Sequence, residues 1–473
     1  MISDEFNCVL IPHWMRRYMT VFRAPGVLER LKTFAGLDIH VFATVLFRGW
    51  GILAGGATTI LLPLFLSPTE QGFYYTFGSV LALQVFFELG LNHVLTQLAG
   101  HSAAHLHRSA HGHLEGDVRW RRAIASLLAL SQKWNAIMAT LFAIALLTGG
   151  VYFFERRGTL PVSEWIGAWV TLIFAAAINL ALSARLAICE GIGEVAGVAK
   201  LRLRQSMVGY LVLWALLLLG QGLSAVVAVP LISAISTAWW LWRHPNLRVL
   251  QSVLILEPRV SAEEFEWRRD IFPLQWKIAL SWAGGYFIFN FLTPVVFALQ
   301  GPVAAGQLGL ALSLFTAVST VGFSWITAKV PAFAGHIARN ERSELNALFD
   351  RQIRRSAGVT FLCSLTVVIA AYVAGQLVPK VAERLPPSTS LVLLAVVAVA
   401  NALVFAMAAY MRAHKEEPLL LQSIVTAALV GIGVLVAAHY SLQATVAAYA
   451  AVTLFVSLPW CTTLYVRYRA RTS

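Results

Sequence analysis

Residues 39–72 read IHVFATVLFRGWGILAGGATTILLPLFLSPTEQG. An apolar run long enough to span a bilayer carries one charge, Arg48, opens onto Gly51, Gly55 and Gly56, and stops at Ser67-Pro68. A bilayer core about 30 Å thick needs roughly 20 apolar residues in helix. A guanidinium inside such a run is expensive to hold in hydrocarbon and by default faces a protein-lined or watery interior. The rest of the chain has to supply that interior.

Working outward, eleven further windows match the first: 73–98, 134–154, 165–184, 205–220, 223–242, 276–299, 303–326, 356–379, 391–411, 418–439 and 443–466. Hydrophobic residues are 58% of the 473, charged residues 12%, and the mean hydropathy is +0.70. Long runs rather than alternating strands mean that each segment satisfies its backbone as a helix. The expected fold is an all-α membrane protein of about twelve transmembrane helices. The net charge of +13 is distributed by topology. Of 36 Lys and Arg, 30 fall in alternate inter-helix segments counted from the N-terminus and 4 in the others, leaving Arg48 and Lys277 within spans. Basic segments stay on the cytoplasmic side, so both termini are expected there, facing anionic phospholipids; nucleic-acid binding is not indicated.

This divides the chain into a cytoplasmic amphipathic segment 1–38, a first lobe 39–242 (six helices), a charged cytoplasmic linker 243–275, a second lobe 276–466 (six helices) and a basic tail 467–473. The segment 1–38 mixes apolar and basic residues at helical spacing, as in a helix lying on the inner leaflet. The first outward turn recurs in both halves: Pro68 then Gly72, Pro302 then Gly306. With six spans each, the halves are expected to be a parallel repeat. There is no cleavable-signal pattern, and the four scattered cysteines suggest packing rather than disulfides or zinc.

Polar residues inside the spans are few. Glu88 in the second helix and Arg48 in the first each lie about 14 Å deep at 1.5 Å per residue, so they are a candidate charge pair if the two helices are antiparallel neighbours. Asn179, Asn290, Gln307, Asn401 and Gln422 are expected mainly to bond between helices. Five histidines crowd His101–His113; without a cysteine or a placed carboxylate, a solvated loop is favoured over a metal site. No cofactor motif is present, and no Asp or Glu falls in any window of the second lobe.

Three blocks carry a resemblance: LFLSPTEQGFYYTFGSVLALQVFFELGL (64–91), ICEGIGEVAGVAKLRLRQ (188–205), and PLQWKIALSWAGGYFIF (273–289) with PVVFALQGPVAAGQLG (294–309). With the twelve-helix layout over 37–466, they resemble bacterial polysaccharide biosynthesis membrane proteins. These are the O-antigen and capsule lipid-linked oligosaccharide flippases of the multidrug/oligosaccharidyl-lipid/polysaccharide exporter superfamily. The resemblance implies two six-helix lobes around a central, alternately open cavity that receives an undecaprenyl-diphosphate glycan in the bacterial inner membrane. Arg48 matches the family's basic cavity residues best. The second half offers only Lys277, and the histidine loop has no counterpart in the pattern.

On this reading Arg48 grips a diphosphate through its planar donor fork, Lys277 adds a point charge, and Trp282, Tyr286 and Gln307 line a sugar path. A cation-coupled multidrug antiporter needs intramembrane carboxylates, and only Glu88 is available. A glycan polymerase or glycosyltransferase needs acid–base groups on long outer loops, which are short here, so an enzyme is not expected. A scaffold for other polysaccharide-assembly membrane proteins is the remaining reading.

Overall fold

The computed structural model describes residues 39–109, 114–244, 247, 265–414 and 419–472, although the side chains of 39–48, 108, 274, 277, 379 and 472 are not among those described. The expected amphipathic segment 1–38 and most of the linker 243–275 therefore lie outside the described residues. Apart from one small hairpin, everything described is helix and connecting turn.

The first lobe begins with α1 (Ile39–Phe65), α2 (Pro68–Glu88) and α3 (Leu91–Ala103). It continues with α4 (Val118–Arg157), α5 (Val162–Gly191), α6 (Val195–Leu218) and α7 (Gly222–Arg243). The second comprises α8 (Phe272–Phe289), α9 (Leu292–Gln300), α10 (Pro302–Ala338), α11 (Arg342–Leu377), α12 (Ser388–Ala413), α13 (Leu420–Ala437) and α14 (Leu442–Arg471). Among the described residues, nine of these helices are long and apolar enough to cross a membrane. Two bent pairs, α2–α3 at 45° and α8–α9 at 42°, bring these to eleven if each pair is one span, and α1 adds the shorter apolar stretch Gly49–Phe65.

Several helices outrun their hydropathy windows. The windows 134–154 and 356–379 become helices starting at Val118 and Arg342, because hydropathy marks only the part in hydrocarbon while helical hydrogen bonding continues into the basic interface. Part of the histidine stretch lies in the hairpin. Strands β1 (Leu106–Arg108) and β2 (Leu114–Gly116) pair antiparallel, and the His105 ring stacks on Trp120 at 4.0 Å. His111 and His113 lie outside the described residues. Among those described, no group of three or more His, Cys, Asp or Glu could hold a metal ion.

Buried amides bond between helices, as expected for a chain solvated by lipid. Asn179 Nδ2 on α5 donates to the Pro230 carbonyl of α7 at 2.9 Å, and its Oδ1 accepts from Ser233 at 3.0 Å. Gln422 donates to Ser457 Oγ at 2.9 Å. Asn179→Leu should lower stability by about 1 kcal/mol, read as an earlier heat-unfolding midpoint in detergent with the fold retained.

The lobes meet along α2, α8, α9 and α10. Ser67 caps α2: its Oγ accepts from the Glu70 N–H at 3.1 Å while the Glu70 carboxylate accepts from the Ser67 N–H at 2.8 Å. Pro68 takes the first helical position, where its missing N–H costs nothing. In the other half Gly301, at φ 90°, turns the chain into Pro302. These matching turns bring Gly72 and Gly306 against each other. A β-carbon on Gly306 would lie 2.9 Å from the Gly72 nitrogen, and one on Gly72 would overlap the Pro302 carbonyl. Gln71 Nε2 donates to the Gly306 carbonyl at 2.9 Å. Beneath this crossing, Phe73 meets Phe297 edge-on at 5.1 Å within a cluster including Phe77, Phe154 and Trp165. The repeated Pro-x-x-x-Gly turns thus close the end of the bundle opposite the basic segments.

Candidate functional site

Behind that seal, three hollows share the walls formed by Phe289 and Asn290. The first, about 530 Å³, lies between α1, α2 and α10. Its α1 wall is Gly51, Ile52, Gly55, Thr58, Thr59 and Leu62, one helical face at spacings of three and four. Facing it on α10 are Ser313, Thr316 and Thr320, with Tyr74, Tyr75 and Tyr210 between. The glycines keep the α1 face low, and the threonines satisfy themselves locally: Thr58 Oγ1 donates to the Ala54 carbonyl at 2.7 Å and accepts from Trp214 Nε1 at 2.9 Å.

The second hollow, about 700 Å³, opens between α2–α3 and α8, lined by His93, Ser281, Trp282, Tyr286 and Arg412 among others. The third, about 520 Å³, runs into the second lobe past Asn401, Gln422 and Tyr449 and also touches Arg412. Arg412 ends α12 at the basic side, so the chamber reaches that end of the bundle while the far end is sealed.

Both bends serve this space. The α2–α3 break is made by Leu89 at φ 52° and Gly90 at φ 69°. The left-handed region is uncommon for leucine and ordinary for glycine. At the α8–α9 break the Asn290 and Phe291 N–H groups both reach the Tyr286 carbonyl, at 2.8 and 3.1 Å, so the hydrogen-bond ladder slips by one residue. Irregular backbone at membrane depth is tolerated where it lines a cavity, and Asn290 stands where all three hollows meet.

Of the residues expected from sequence, Trp282 and Tyr286 are in the chamber. Gln307 is not: its Nε2 donates to the Glu383 carbonyl at 3.0 Å at the sealed end, so it ties a turn rather than lining a path. Arg48 and Lys277 belong to α1 and α8, but their side chains are outside those described. The neighbour relation assumed for the Arg48–Glu88 pair does not hold along the helices. Beyond its turn into α2, α1 lies against α6 and α10. Glu88 instead accepts from Asn92 Nδ2 at 2.8 Å. Sequence reading missed Arg412 and His93, which it placed with inner-segment charge or passed over, and the hydroxyl stripe Ser313, Thr316, Thr320. The three- and four-residue spacing of that stripe was the available signal. No carboxylate appears among the described residues lining the three hollows.

This architecture is a helical bundle whose fold is that of solved membrane transporters. The chain is similar to a solved multidrug resistance MATE family transporter of the MOP superfamily in its inward-facing conformation. The TM-score is 0.59 at 15% identity, over 91% of this chain and 96% of that one. It is also similar to the lipid II flippase MurJ in an inward closed conformation, with TM-score 0.55 at 10% identity, over 92% of this chain and 89% of that one. No protein-family model and no curated protein matches the chain.

Proposed function

We propose that this protein is a transporter that flips a lipid-diphosphate-linked oligosaccharide across the bacterial inner membrane for surface polysaccharide synthesis, by alternating access, with both termini cytoplasmic. The observation that carries the reading is the chamber's chemistry. Hydroxyls, amides and aromatic rings line it, Arg412 and His93 stand toward the basic end, and no described lining residue is acidic. Sugars need hydroxyl and amide partners and flat rings to lie on; a diphosphate needs cations. A cation-coupled drug antiporter needs carboxylates in that space, and Glu88 is engaged with Asn92 instead.

Helical spacing back along the α1 face from Gly55 and Ile52 arrives at position 48, and back along the α8 face from Ser281 at position 277. Arg48 and Lys277, one from each lobe, are the proposed partners of the diphosphate. The lipid tail stays in the bilayer while the lobes rock about the head group. A cytoplasm-negative potential favours outward movement of an anion by about 2.3 kcal/mol per charge per 100 mV, so flipping can proceed without an acidic proton relay. The test is complementation of a deletion strain. The wild-type gene restores surface glycan and Arg48→Ala lowers export at least about tenfold, the loss expected when one charge-assisted contact is removed. Full export by Arg48→Ala at equal protein level removes Arg48 from the mechanism. A deletion strain with normal glycan but heightened drug sensitivity replaces this function by the antiporter.

A further inference from the structure

The first hollow differs from the other two in charge as well as in place. Arg412 lines the second and the third. Among the described residues lining the first there is neither a cation nor an anion. Its α1 wall runs from Gly51 to Leu62, roughly 16 Å along the helix at 1.5 Å per residue. Since α1 starts at the basic end, this wall lies outward of position 48.

Hydroxyls in a membrane helix commonly bond the carbonyl four residues back, and two in this hollow do so. Thr59 Oγ1 donates to the Gly55 carbonyl and Thr320 Oγ1 to the Thr316 carbonyl, both at 2.8 Å. Their protons are committed and their lone pairs remain. Ser79 and Thr316 make no such bond among the described residues. Asn290, unlike Asn179 and Gln422, has no side-chain partner among them either. Thr316 is exposed on this wall, and Tyr74, Tyr210 and Phe289 add ring faces. Uncommitted hydroxyls and an amide at membrane depth suit a ligand that both donates and accepts without charge. Sugar hydroxyls and N-acetyl amides do both. A carboxylate only accepts, and it brings a charge for which this lining holds no counter-charge; a buried ion without a partner is strongly disfavoured.

We propose that the first hollow is the sugar subsite of the cargo and that it selects an uncharged glycan: hexoses, deoxyhexoses and N-acetylated amino sugars, without uronic acid, sialic acid, phosphate or free-amine groups. This rests on the flippase reading above and adds to it the charge class of the glycan. The diphosphate stays at the level of position 48, and the glycan extends outward along the α1 face. Thr320 accepts from sugar hydroxyls, Thr316 and Asn290 bond in either sense, and the apolar faces of the pyranose rings lie on the tyrosines. An acidic unit would shed its water without gaining a cation, so it is held back beside Arg412 rather than entering the first hollow.

The test has two arms. In the first, the lipid-linked glycan is extracted from a strain deleted for this gene, and the glycan released from its diphosphate is analysed by mass spectrometry. This unit has not yet been exported, so groups added outside the membrane do not enter. The expected result is a released glycan with no acidic or basic group, displayed on the wild-type surface and missing from that of the deletion strain. A uronic acid, sialic acid, phosphate or free amine in it overturns the proposal and leaves the flippase function standing. A deletion strain that loses no surface glycan overturns that function, and this inference with it. The second arm places the selection. Ser313→Ala with Thr316→Val removes two hydroxyls of the α10 wall at nearly constant volume. Glycan export at equal protein level should fall about tenfold, as for the loss of two neutral hydrogen bonds. Unchanged export by this double variant overturns the subsite, and the first arm, which needs no variant, serves if the double variant does not fold.

Discussion

On the function proposed above, Gly72→Leu is expected to leave a folded protein that no longer closes its far end and exports glycan at between about a tenth and a hundredth of the wild-type rate. At this crossing two backbones touch. The Gly72 α-carbon faces the Pro302 carbonyl, Gly306 faces the Gly72 nitrogen, and Gln71 bridges to the Gly306 carbonyl. Any side chain at 72 has to push α2 away from α10, and overpacking of this kind costs about 1–3 kcal/mol even at a single well-packed position. The strain falls only on the conformation in which these helices meet, so it shifts the balance between conformations rather than unfolding the lobes. At about 1.4 kcal/mol per decade, the sealed form becomes one to two orders of magnitude rarer. A cysteine introduced at Gln307, beside the crossing, reports this. In Gly72→Leu its labelling by a membrane-impermeant maleimide from outside the cell should rise at least tenfold, and Gly306→Leu should do the same from the other half. Wild-type labelling together with wild-type export would mean that the crossing is not the gate.

Asn290→Asp is the second large effect, and it tests the sign of the cargo's charge. Asn290 stands at the break between α8 and α9, common to all three hollows. A carboxylate there, about 6 Å from a passing phosphate, repels it by about 3 kcal/mol at an effective dielectric near 20. Export should fall on the order of a hundredfold, whereas Asn290→Lys should keep or raise it. A cationic cargo reverses both signs. Undiminished glycan export by Asn290→Asp together with new resistance to a cationic drug would transfer the protein to the antiporter class.

Much of the fold was legible in one dimension because the bilayer itself acts in one dimension. Its thickness sets the length of each apolar run, and the absence of water inside it makes every run a helix. Ser67, Pro68 and Glu70 announced a helix start through local hydrogen bonding alone, and the cap is as those residues require. The paired turns at Pro68–Gly72 and Pro302–Gly306 were visible as a repeat. Their meeting was not, because it depends on how two lobes more than two hundred residues apart in sequence are laid together.

The site was less legible. Hydropathy says that a residue is inside the membrane but not which way its helix is rotated. Thus Gln307 read as a lining residue and proved to tie an outer turn, while Trp282 and Tyr286 do line the chamber. The bends carry local marks that hydropathy passes over: Gly90 takes the left-handed turn in the first, and Pro294 cannot donate to the Asn290 carbonyl four residues before it in the second. Composition and charge placement settled what kind of medium this chain inhabits and how often it crosses, since both follow from transfer energies summed along the chain. Helix rotation and the glycine-to-backbone seal were decided only by tertiary packing, where each side chain's surroundings are set by segments far away in the sequence.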